Sequence, residues 1–316
     1  MSVRIVATGV YIPEQGCDKP DHVNAFSGVD DSFNEIFAGK GRRYICNNEE
    51  TPTFMGIQAA RQALENADID PRSIDAILCY TLVPDNDAPK DVYKIAGEIG
   101  CDGALCWTID TACASFLSHL HCASNLQRAG MKRILIINSM NWVGRAFAEH
   151  EGQFAGDGAG AVIVEACPEG QGVIACKEIS SPAQFDFVTL KSAQLSGQRE
   201  ALEFSRNNRV IHRSINILPE LAGQLLADNR VALDEVDWTL CHQPGMPAIE
   251  KWHAKLGVSV SRNLNTYSFY GNMSAANIPI SLHHHYTREQ VVDEGDLALF
   301  FTAGAGIHVA AALYRF

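Results

Sequence analysis

Short runs of consecutive apolar residues alternate with amphipathic stretches along most of the chain. Apolar runs such as 76–80, 104–109 and 134–137 are typical of strands that are buried on both faces of a sheet. Residues 114–128 instead carry their apolar side chains at roughly helical spacing, at Phe116, Leu117, Leu120 and Leu126. This pattern predicts an α/β protein in which helices cover buried sheets.

Two parts of this pattern recur in the second half of the chain. The helix end at 63–68 and the strand at 74–80 are matched by 225–230 and 236–242, with Ile74 and Val236 162 positions apart. The strands at Ile134 and Leu297 match at an offset of 163. Helix–loop–strand units recur in any α/β protein, but two matches at offsets that differ by one residue favour a duplication.

We therefore expect two halves, residues 1–168 and 169–316, joined by the Pro- and Gly-containing loop at 168–172. The first half would carry the nucleophile, and the second a histidine and an asparagine. Residues 180–209 are irregular and polar, which predicts an insertion of loops and short helices.

Composition narrows the class of protein. The chain has 316 residues, is 47% hydrophobic and carries a formal charge of −12, which argues against a nucleic-acid partner. No apolar run approaches the ~20 residues of a membrane span. The N-terminus predicts a strand rather than a signal peptide, and most of the ten cysteines fall in apolar segments, so we expect a reducing cytoplasm.

Cys113 is the strongest candidate for chemistry. It lies between the predicted strand 104–109 and the predicted helix 114–128, at or near the helix N-terminus. The free amides and the positive dipole end of a helix favour a thiolate there. We expect Cys113 to be a nucleophile in covalent catalysis.

Three segments of the second half offer partners for this thiol. His242 ends the predicted strand 238–241, where α/β sheets place their sites, although a lone histidine is more often structural. Asn272 lies in a Gly-Asn turn before the predicted helix 275–282, and the glycines of 303–306 allow a backbone amide to approach a ligand. The first half also has a glycine-rich run, 156–161, which could be mistaken for a phosphate-binding loop. It leads into a strand rather than a helix, so we interpret it as a structural support of the site.

These segments and their order carry a resemblance to a known family. The chain resembles the ketoacyl-acyl carrier protein synthase III branch of the thiolase superfamily, from its Gly-Val-Tyr-Ile-Pro opening at 9–13 to its end. The matching pieces are Thr111–Ala114, Gly156–Ala161, His242–Gln243, Gly271–Ala276 and Ala303–Gly306. The resemblance implies the thiolase fold, five layers αβαβα built from two duplicated halves, usually as a homodimer.

The resemblance also implies roles for individual residues. Cys113 would take an acyl group from a thioester, and His242 and Asn272 would stabilise the enolate formed when a malonyl group loses carbon dioxide. The amides of Cys113 and Gly306 would form the oxyanion hole. The expected partners are acyl-coenzyme A and acyl carrier protein, whose thioesters are substrates, with no metal or further cofactor.

Several positions depart from the family pattern. Phe33 can supply the aromatic residue against the coenzyme A adenine, but Phe37 stands where an arginine is expected. Pro247, three residues after Pro244, replaces a basic residue that helps to dock the carrier protein. Ala88 replaces the aromatic residue that closes the acyl pocket from the partner subunit. We expect a specialised relative in fatty-acid or polyketide metabolism that accepts a longer or bulkier acyl group.

Three other functions remain open from the sequence. An acyltransferase would pass the acyl group to an alcohol or amine without decarboxylation; the altered entrance favours it, whereas Asn272 weighs against it. A papain-like cysteine hydrolase also has Cys, His and Asn in this order, but it lacks the duplication and its Cys-Gly-x-Cys-Trp signature is missing here. A catalytically silent subunit conflicts with the intact set of three.

The histidine run 283–285 could suggest metal binding. Consecutive residues do not share a helix face, however, so the run is interpreted as a solvated surface.

Overall fold

The structure is a computed structural model that describes residues 2–14, 16–19, 41–143, 154–192, 202–206 and 209–316. The strands are β1 Ser2–Tyr11, β2 Gly16–Lys19, β3 Gly41–Tyr44, β4 Ala76–Leu82, β5 Leu105–Thr108, β6 Arg133–Met140, β7 Gly158–Cys167, β8 Gly172–Ser180, β9 Val188–Ser192, β10 Leu202–Arg206, β11 Trp238–Cys241, β12 Leu297–Gly304 and β13 His308–Arg315. The α-helices are α1 Pro52–Ala67, α2 Asp91–Ile99, α3 Ser115–Arg128, α4 Arg209–Asp228, α5 Met246–Leu256, α6 Tyr267–Tyr270 and α7 Asn277–Leu282.

Two mixed sheets organise these strands. The first has the order β1-β7-β6-β4-β5, and β4 runs parallel to both β5 and β6. The second has the order β11-β12-β13-β8, with β11 parallel to β12. The strands of the first sheet all precede Pro168 and those of the second all follow it. The pairs β2–β3 and β9–β10 form two small antiparallel sheets.

Successive side chains of each strand point to opposite faces of its sheet, so each sheet packs against helices on both faces and the fold has five layers. On β4, Ile77 and Cys79 face the cluster that contains α1 and α2, whereas Ala76 and Leu78 face the cluster that contains α3 and α7. On β12, Phe300 faces that same central cluster and Leu299 faces α4 and α5. The layers are therefore helices, sheet, helices, sheet and helices, which confirms the predicted αβαβα thiolase fold.

The duplication extends to the turns. The 3₁₀ turns Pro71–Ser73 and Leu233–Glu235 are 162 positions apart, and each precedes an aspartate that links two parallel strands. The amide of Asp75 donates to the carbonyl of Arg133, and that of Asp237 donates to the carbonyl of Leu297, both at 2.9 Å. The central helices share one core with both sheets, so the division into domains at residue 168 remains a prediction.

Two predictions about elements were wrong. Segment 104–109 forms a short edge strand rather than a buried one, because β5 pairs with β4 alone in the sheet order and Trp107 is 41% exposed. Region 180–209 contains a β-hairpin, β9–β10, besides the 3₁₀ segment Pro182–Phe187. Within the described ranges, no helix is both long and apolar enough to cross a membrane.

Candidate active site

Polar side chains build the turn that presents Cys113. The turn is a single 3₁₀ turn, Ala112–Ala114, that runs directly into α3. The carboxylate of Asp110 accepts from the amide of Ala112 at 2.8 Å, and the hydroxyl of Ser115 donates to the Ala112 carbonyl at 2.7 Å. These bonds hold Ala112 at a φ of 52°, a left-handed conformation that non-glycine residues rarely adopt. Such local strain is characteristic of functional sites.

The second half of the chain fixes this turn from below. Thr302 on β12 is fully buried and donates its hydroxyl to the carbonyl of Cys113 at 3.0 Å. Gly304, at the end of the same strand, lies so close that a Cβ there would stand 2.3 Å from the Thr111 carbonyl oxygen. A strand of one half therefore positions the nucleophile of the other half.

The protonation state of Cys113 differs from the expectation. Burial raises the pKa of its thiol to about 11, although the hydroxyl of Ser274 donates to the sulfur at 3.1 Å and lowers the pKa. Asp110 adds a smaller upward effect on the pKa. The resting group is thus a thiol at neutral pH and not a thiolate, because removal from water outweighs the donors around the sulfur.

His242 lies buried just beyond β11 and is held by Asn277. Its Nδ1 is 3.1 Å from Oδ1 of Asn277, whose amide nitrogen donates to the carbonyl of Gly271 at 3.0 Å. This second bond orients the Asn277 amide, so Nδ1 of His242 carries the ring proton and Nε2 keeps its lone pair. Burial lowers the pKa of His242 to about 4, and the ring is neutral at neutral pH.

Asn272 is placed by its backbone and oriented by its side chain. Its amide donates to the Phe154 carbonyl at 2.8 Å, and its carbonyl accepts from Gly156 at 2.9 Å. The side-chain Oδ1 accepts from the amide of Ser274 at 2.8 Å, which leaves the side-chain nitrogen as the donor. A Cβ on Gly156 would lie 2.3 Å from the Tyr270 carbonyl oxygen, so this contact requires glycine. The run 156–161 thus supports the site and continues into β7, as interpreted from sequence.

Ser274 connects the three predicted catalytic residues and was missed by the sequence analysis. Its hydroxyl donates to Cys113 and its amide donates to Asn272, and a contact between its backbone and the ring of His242 raises the pKa of that histidine. Its φ of 48° is again left-handed. The signal available in the sequence was its position two residues after Asn272 in a matching motif.

A second missed group lies behind the nucleophile turn. Glu178 on β8 accepts from Ser118 on α3 at 2.7 Å, and one of its oxygens lies 2.8 Å from Nε2 of His308. Its other oxygen lies 2.7 Å from Nδ1 of His121. Ser118 is also 2.9 Å from the hydroxyl of Thr111, which begins the Cys113 turn. A partly buried carboxylate therefore links α3 and the second sheet to this turn.

Two of the remaining predicted site residues, Gly306 and Ala88, lie in the described part of the chain. Gly306 lies in the tight turn between β12 and β13 with a φ of 107°, and Gly304 is the glycine that meets the Cys113 turn. The oxyanion role of Gly306 therefore remains a prediction. Ala88 is exposed in the loop before α2. Phe33 and Phe37 lie outside the described residues.

The two prolines after His242 fit the local structure. Pro244 is buried, and Pro247 stands in the first turn of α5, where the missing N–H would be unpaired in any case.

The histidine run is also not a solvated surface. His283 is buried, with Nδ1 3.0 Å from the hydroxyl of Thr8. The side chains of His284 and His285 are only 13% and 12% exposed, and both approach Glu289. These residues lie in a π-helical segment, His283–Arg288. Its turn is wider than that of an α-helix, so the argument that consecutive residues do not share a helix face does not apply.

Comparisons with known proteins identify the family of the chain. The model of the 3-oxoacyl-[acyl-carrier-protein (ACP)] synthase III family matches residues 108–182, and that of the C terminal of the same synthase matches residues 226–316. The β-ketoacyl-[acyl-carrier-protein] synthase III of Actinobacillus pleuropneumoniae is 31% identical over 322 residues, 100% of both chains. That of Erythrobacter litoralis is 29% identical over 288 residues, 88% of each.

A solved structure shows the same fold. The crystal structure of 3-oxoacyl-[acyl-carrier-protein] synthase III from Aquifex aeolicus superposes with a TM-score of 0.87 at 26% identity, covering 99% of this chain and 100% of that one. The fold is thus that of the thiolase-fold enzymes. The chain belongs to the β-ketoacyl-acyl carrier protein synthase III family, a family of transferases. The papain-like alternative is excluded by this fold.

Proposed function

We propose that the protein transfers an acyl group to Cys113 and then condenses it with a malonyl-type or β-keto thioester. The observation that carries the proposal is the set of contacts made by Ser274, which bonds to Cys113, Asn272 and His242 at once. This geometry gathers a nucleophile, a neutral base and an amide donor around one small group. Family membership supports the same chemistry.

In the first step the sulfur of Cys113 attacks the carbonyl carbon of an acyl thioester. The thiol proton moves to the free Nε2 of His242, which the local tautomer leaves as an acceptor. The new carbon–sulfur bond forms as the old one breaks, and the carrier thiolate departs and takes a proton from solvent. The low pKa of His242 rises while a negative charge stands beside it, since an opposite charge favours the protonated ring.

In the second step the malonyl carbon–carbon bond breaks and releases carbon dioxide. The electron pair moves onto the thioester oxygen, where the side-chain nitrogen of Asn272 and the protonated Nε2 of His242 donate hydrogen bonds. Two preorganised donors of this kind lower such a barrier by several kcal/mol. The enolate carbon then attacks the acyl group, and the released sulfur of Cys113 recovers its proton from His242.

We infer the size of the acyl group from Ala88, the small and exposed residue at the position where the family has an aromatic residue that closes the acyl pocket. Ala88 carries no bulk that would close an acyl pocket from a partner subunit. We assign the protein to longer or bulkier acyl thioesters of specialised fatty-acid or polyketide metabolism. Coenzyme A or acyl carrier protein would deliver the acyl group, and the enzyme would act as a homodimer without a cofactor.

The test measures the mass added to the intact protein by a panel of acyl-coenzyme A thioesters. We expect one acyl group per chain, largest for medium or branched acyl groups, and none in Cys113→Ala. Cys122→Ala, which alters a neighbouring thiol on α3, is the matched control and should still be acylated. Failure of every thioester to label Cys113 would contradict the proposal and favour a silent subunit.

A second measurement separates condensation from simple acyl transfer. The acylated enzyme is mixed with malonyl thioester labelled at the free carboxyl group. Release of labelled carbon dioxide, lost in Asn272→Ala, supports condensation. Transfer of the acyl group to an alcohol or amine without carbon dioxide would replace this proposal by the acyltransferase alternative.

A further inference from the structure

Two neighbouring histidines and a glutamate converge at the end of the helix that follows Asn272. The ligand-capable atoms of His284, His285 and Glu289 all lie within 4.8 Å of one another. Nε2 of His284 is 3.3 Å from one carboxylate oxygen of Glu289, and Nδ1 of His285 is 2.8 Å from the other. The π-helical turn lets both consecutive rings reach the same carboxylate.

These separations suit a bound metal ion. Donor atoms about 2.0–2.1 Å from a tetrahedral zinc ion stand ~3.3 Å apart. His284 and Glu289 lie at that distance, whereas His285 and Glu289 are closer, at 2.8 Å, and would move apart around an ion. Nε2 of His284 is also buried, and its contact with Glu289 at 3.3 Å is too long or too poorly aligned to be a good hydrogen bond. A buried nitrogen that is poorly hydrogen-bonded is costly, and a metal ion held between this nitrogen and Glu289 would satisfy both groups.

The surroundings of His284 resemble the outer shell of a metal site. Its second nitrogen, Nδ1, lies 3.3 Å from the hydroxyl of Tyr270, and the ring of Phe269 packs at 4.9 Å. Histidines that bind metal usually make a hydrogen bond with their other nitrogen, which fixes the direction of the ring. Tyr270 therefore leaves Nε2 as the atom presented to Glu289.

We propose that His284, His285 and Glu289 bind a divalent first-row transition-metal ion, of which zinc matches the donor set best. Two imidazoles and one carboxylate are a common zinc ligand set that leaves a position for water. Glu289 is 45% exposed, so its side chain can close on the ion and solvent can reach the open position. No step of the proposed condensation uses this site. The site contacts Tyr270, which lies two residues before Asn272.

The test uses the whole protein after removal of metal by dialysis against a chelator. Cobalt(II) is titrated as a visible probe, and zinc(II) then competes for it. We expect one equivalent of cobalt, with a spectrum of nitrogen and oxygen ligands and no thiolate charge-transfer band. Zinc should displace it.

Variants assign the ligands. Glu289→Gln should weaken binding at least tenfold, and His285→Asn should abolish it. Glu294→Gln changes a nearby exposed carboxylate outside the cluster and should bind as the unaltered protein does. Unfolding temperatures of the metal-free proteins show that each variant is folded.

Three results would overturn the assignment. They are equal affinity of Glu289→Gln and the unaltered protein, a thiolate band that disappears on cysteine alkylation, and no saturable binding of one equivalent. The last result would mean that Glu289 accepts ordinary hydrogen bonds from the two rings. Acylation of Cys113 is measured on the same metal-free sample, so failure of the metal site and failure of the proposed condensation are separate outcomes.

Discussion

The hydroxyl of Ser274 sets the reactivity of Cys113 by donating to its sulfur. This bond lowers the thiol pKa, so Ser274→Ala should raise the pKa and reduce the thiolate fraction at any pH below it. A hydrogen bond worth ~1 kcal/mol corresponds to about a fivefold slower reaction at fixed pH. The measurement is the rate of alkylation by iodoacetamide from pH 7 to 11, which should shift towards high pH.

The control for this experiment is Ser261→Ala, since Ser261 is exposed and bonds only to Ser259 among the described residues. Its alkylation profile should match that of the unaltered protein. An unchanged profile in Ser274→Ala would show that the bond to sulfur does not form in solution.

Glu178 should make the stability of the protein depend on pH. Burial alone would raise the pKa of this carboxyl, but bonds from His121, His308 and Ser118 outweigh it and hold the pKa well below its usual range. A lowered pKa stabilises the folded state above the unfolded value of about 4.3, and this contribution is lost as pH falls towards the folded value. Glu178→Gln should therefore cost about 1–3 kcal/mol of unfolding free energy at pH 7.

Urea unfolding at pH 7 and pH 3.5 measures this effect. The difference between Glu178→Gln and the unaltered protein should shrink at pH 3.5, whereas the exposed Glu169→Gln should match the unaltered protein at both. A constant difference would mean that the lost contacts, and not the charge of Glu178, stabilise the fold.

The sequence predicts some of these residues and not others for a physical reason. Cys113, His242 and Asn272 each stand in a short local motif that the chain presents in family order. Glu178 has no such motif, because its partners Ser118 and His308 are 60 and 130 positions away and meet it only after the sheets stack. The pKa of Cys113 likewise depends on burial by segments distant in the sequence. The position of Cys113 at a helix N-terminus does not reveal that burial, so the expectation of a thiolate left it out.

At the scale of elements, Gly304 is the contact through which β12 positions the nucleophile turn. In Gly304→Ala the new Cβ would meet the Thr111 carbonyl oxygen at 2.3 Å and the Ala114 amide nitrogen at 3.1 Å. Both are backbone atoms, so no side-chain rotation relieves the clash and the turn must move. We expect a loss of stability of about 1–3 kcal/mol and a larger loss of Cys113 acylation, since ~1 Å of misplacement costs about 100-fold in rate.

The matched control is Gly97→Ala in the exposed part of α2, where a Cβ meets nothing within 4 Å. This change should leave acylation unaltered and raise stability by about 0.5–1 kcal/mol. Normal acylation in Gly304→Ala would contradict the role of β12 in placing Cys113.

The elements that the sequence predicted well are those with strong local periodicity. Helix α3 and strands β4 and β6 have apolar patterns that identify the element from its own segment, without knowledge of its tertiary contacts. The hairpin β9–β10 was missed because its two short strands lie in a polar region and are defined by their pairing. Strand β5 was predicted as buried because its apolar residues do not reveal that it ends the sheet.

At the scale of the whole molecule, the exposed edge at β5 supports the proposed homodimer. Trp107 and Thr108 are exposed there, and in the described sheet order β5 has a neighbour on one side alone. An edge strand with an exposed tryptophan favours pairing with a second chain. A dimer of this kind would be needed for Ala88 of one protomer to reach the acyl pocket of its partner.

Mixed dimers test this arrangement directly. One chain carries Ala88→Phe together with Cys113→Ala, the other chain is unaltered, and two different affinity tags isolate the mixed species. Acylation then occurs only in the unaltered chain, so a shorter preferred acyl group must come from the phenylalanine of its partner. We expect the preference to shorten because an aromatic ring at position 88 fills the space that alanine leaves.

The control dimer pairs the unaltered chain with Cys113→Ala alone and should keep the original acyl preference. If the preference shortens only when Ala88→Phe and Cys113 are in the same chain, then residue 88 lines its own pocket. If it shortens in neither arrangement, then Ala88 does not gate the pocket and the chain length is set elsewhere. Failure to recover a species with both tags would instead contradict the homodimer, because the tags can be joined only through an interface between the chains.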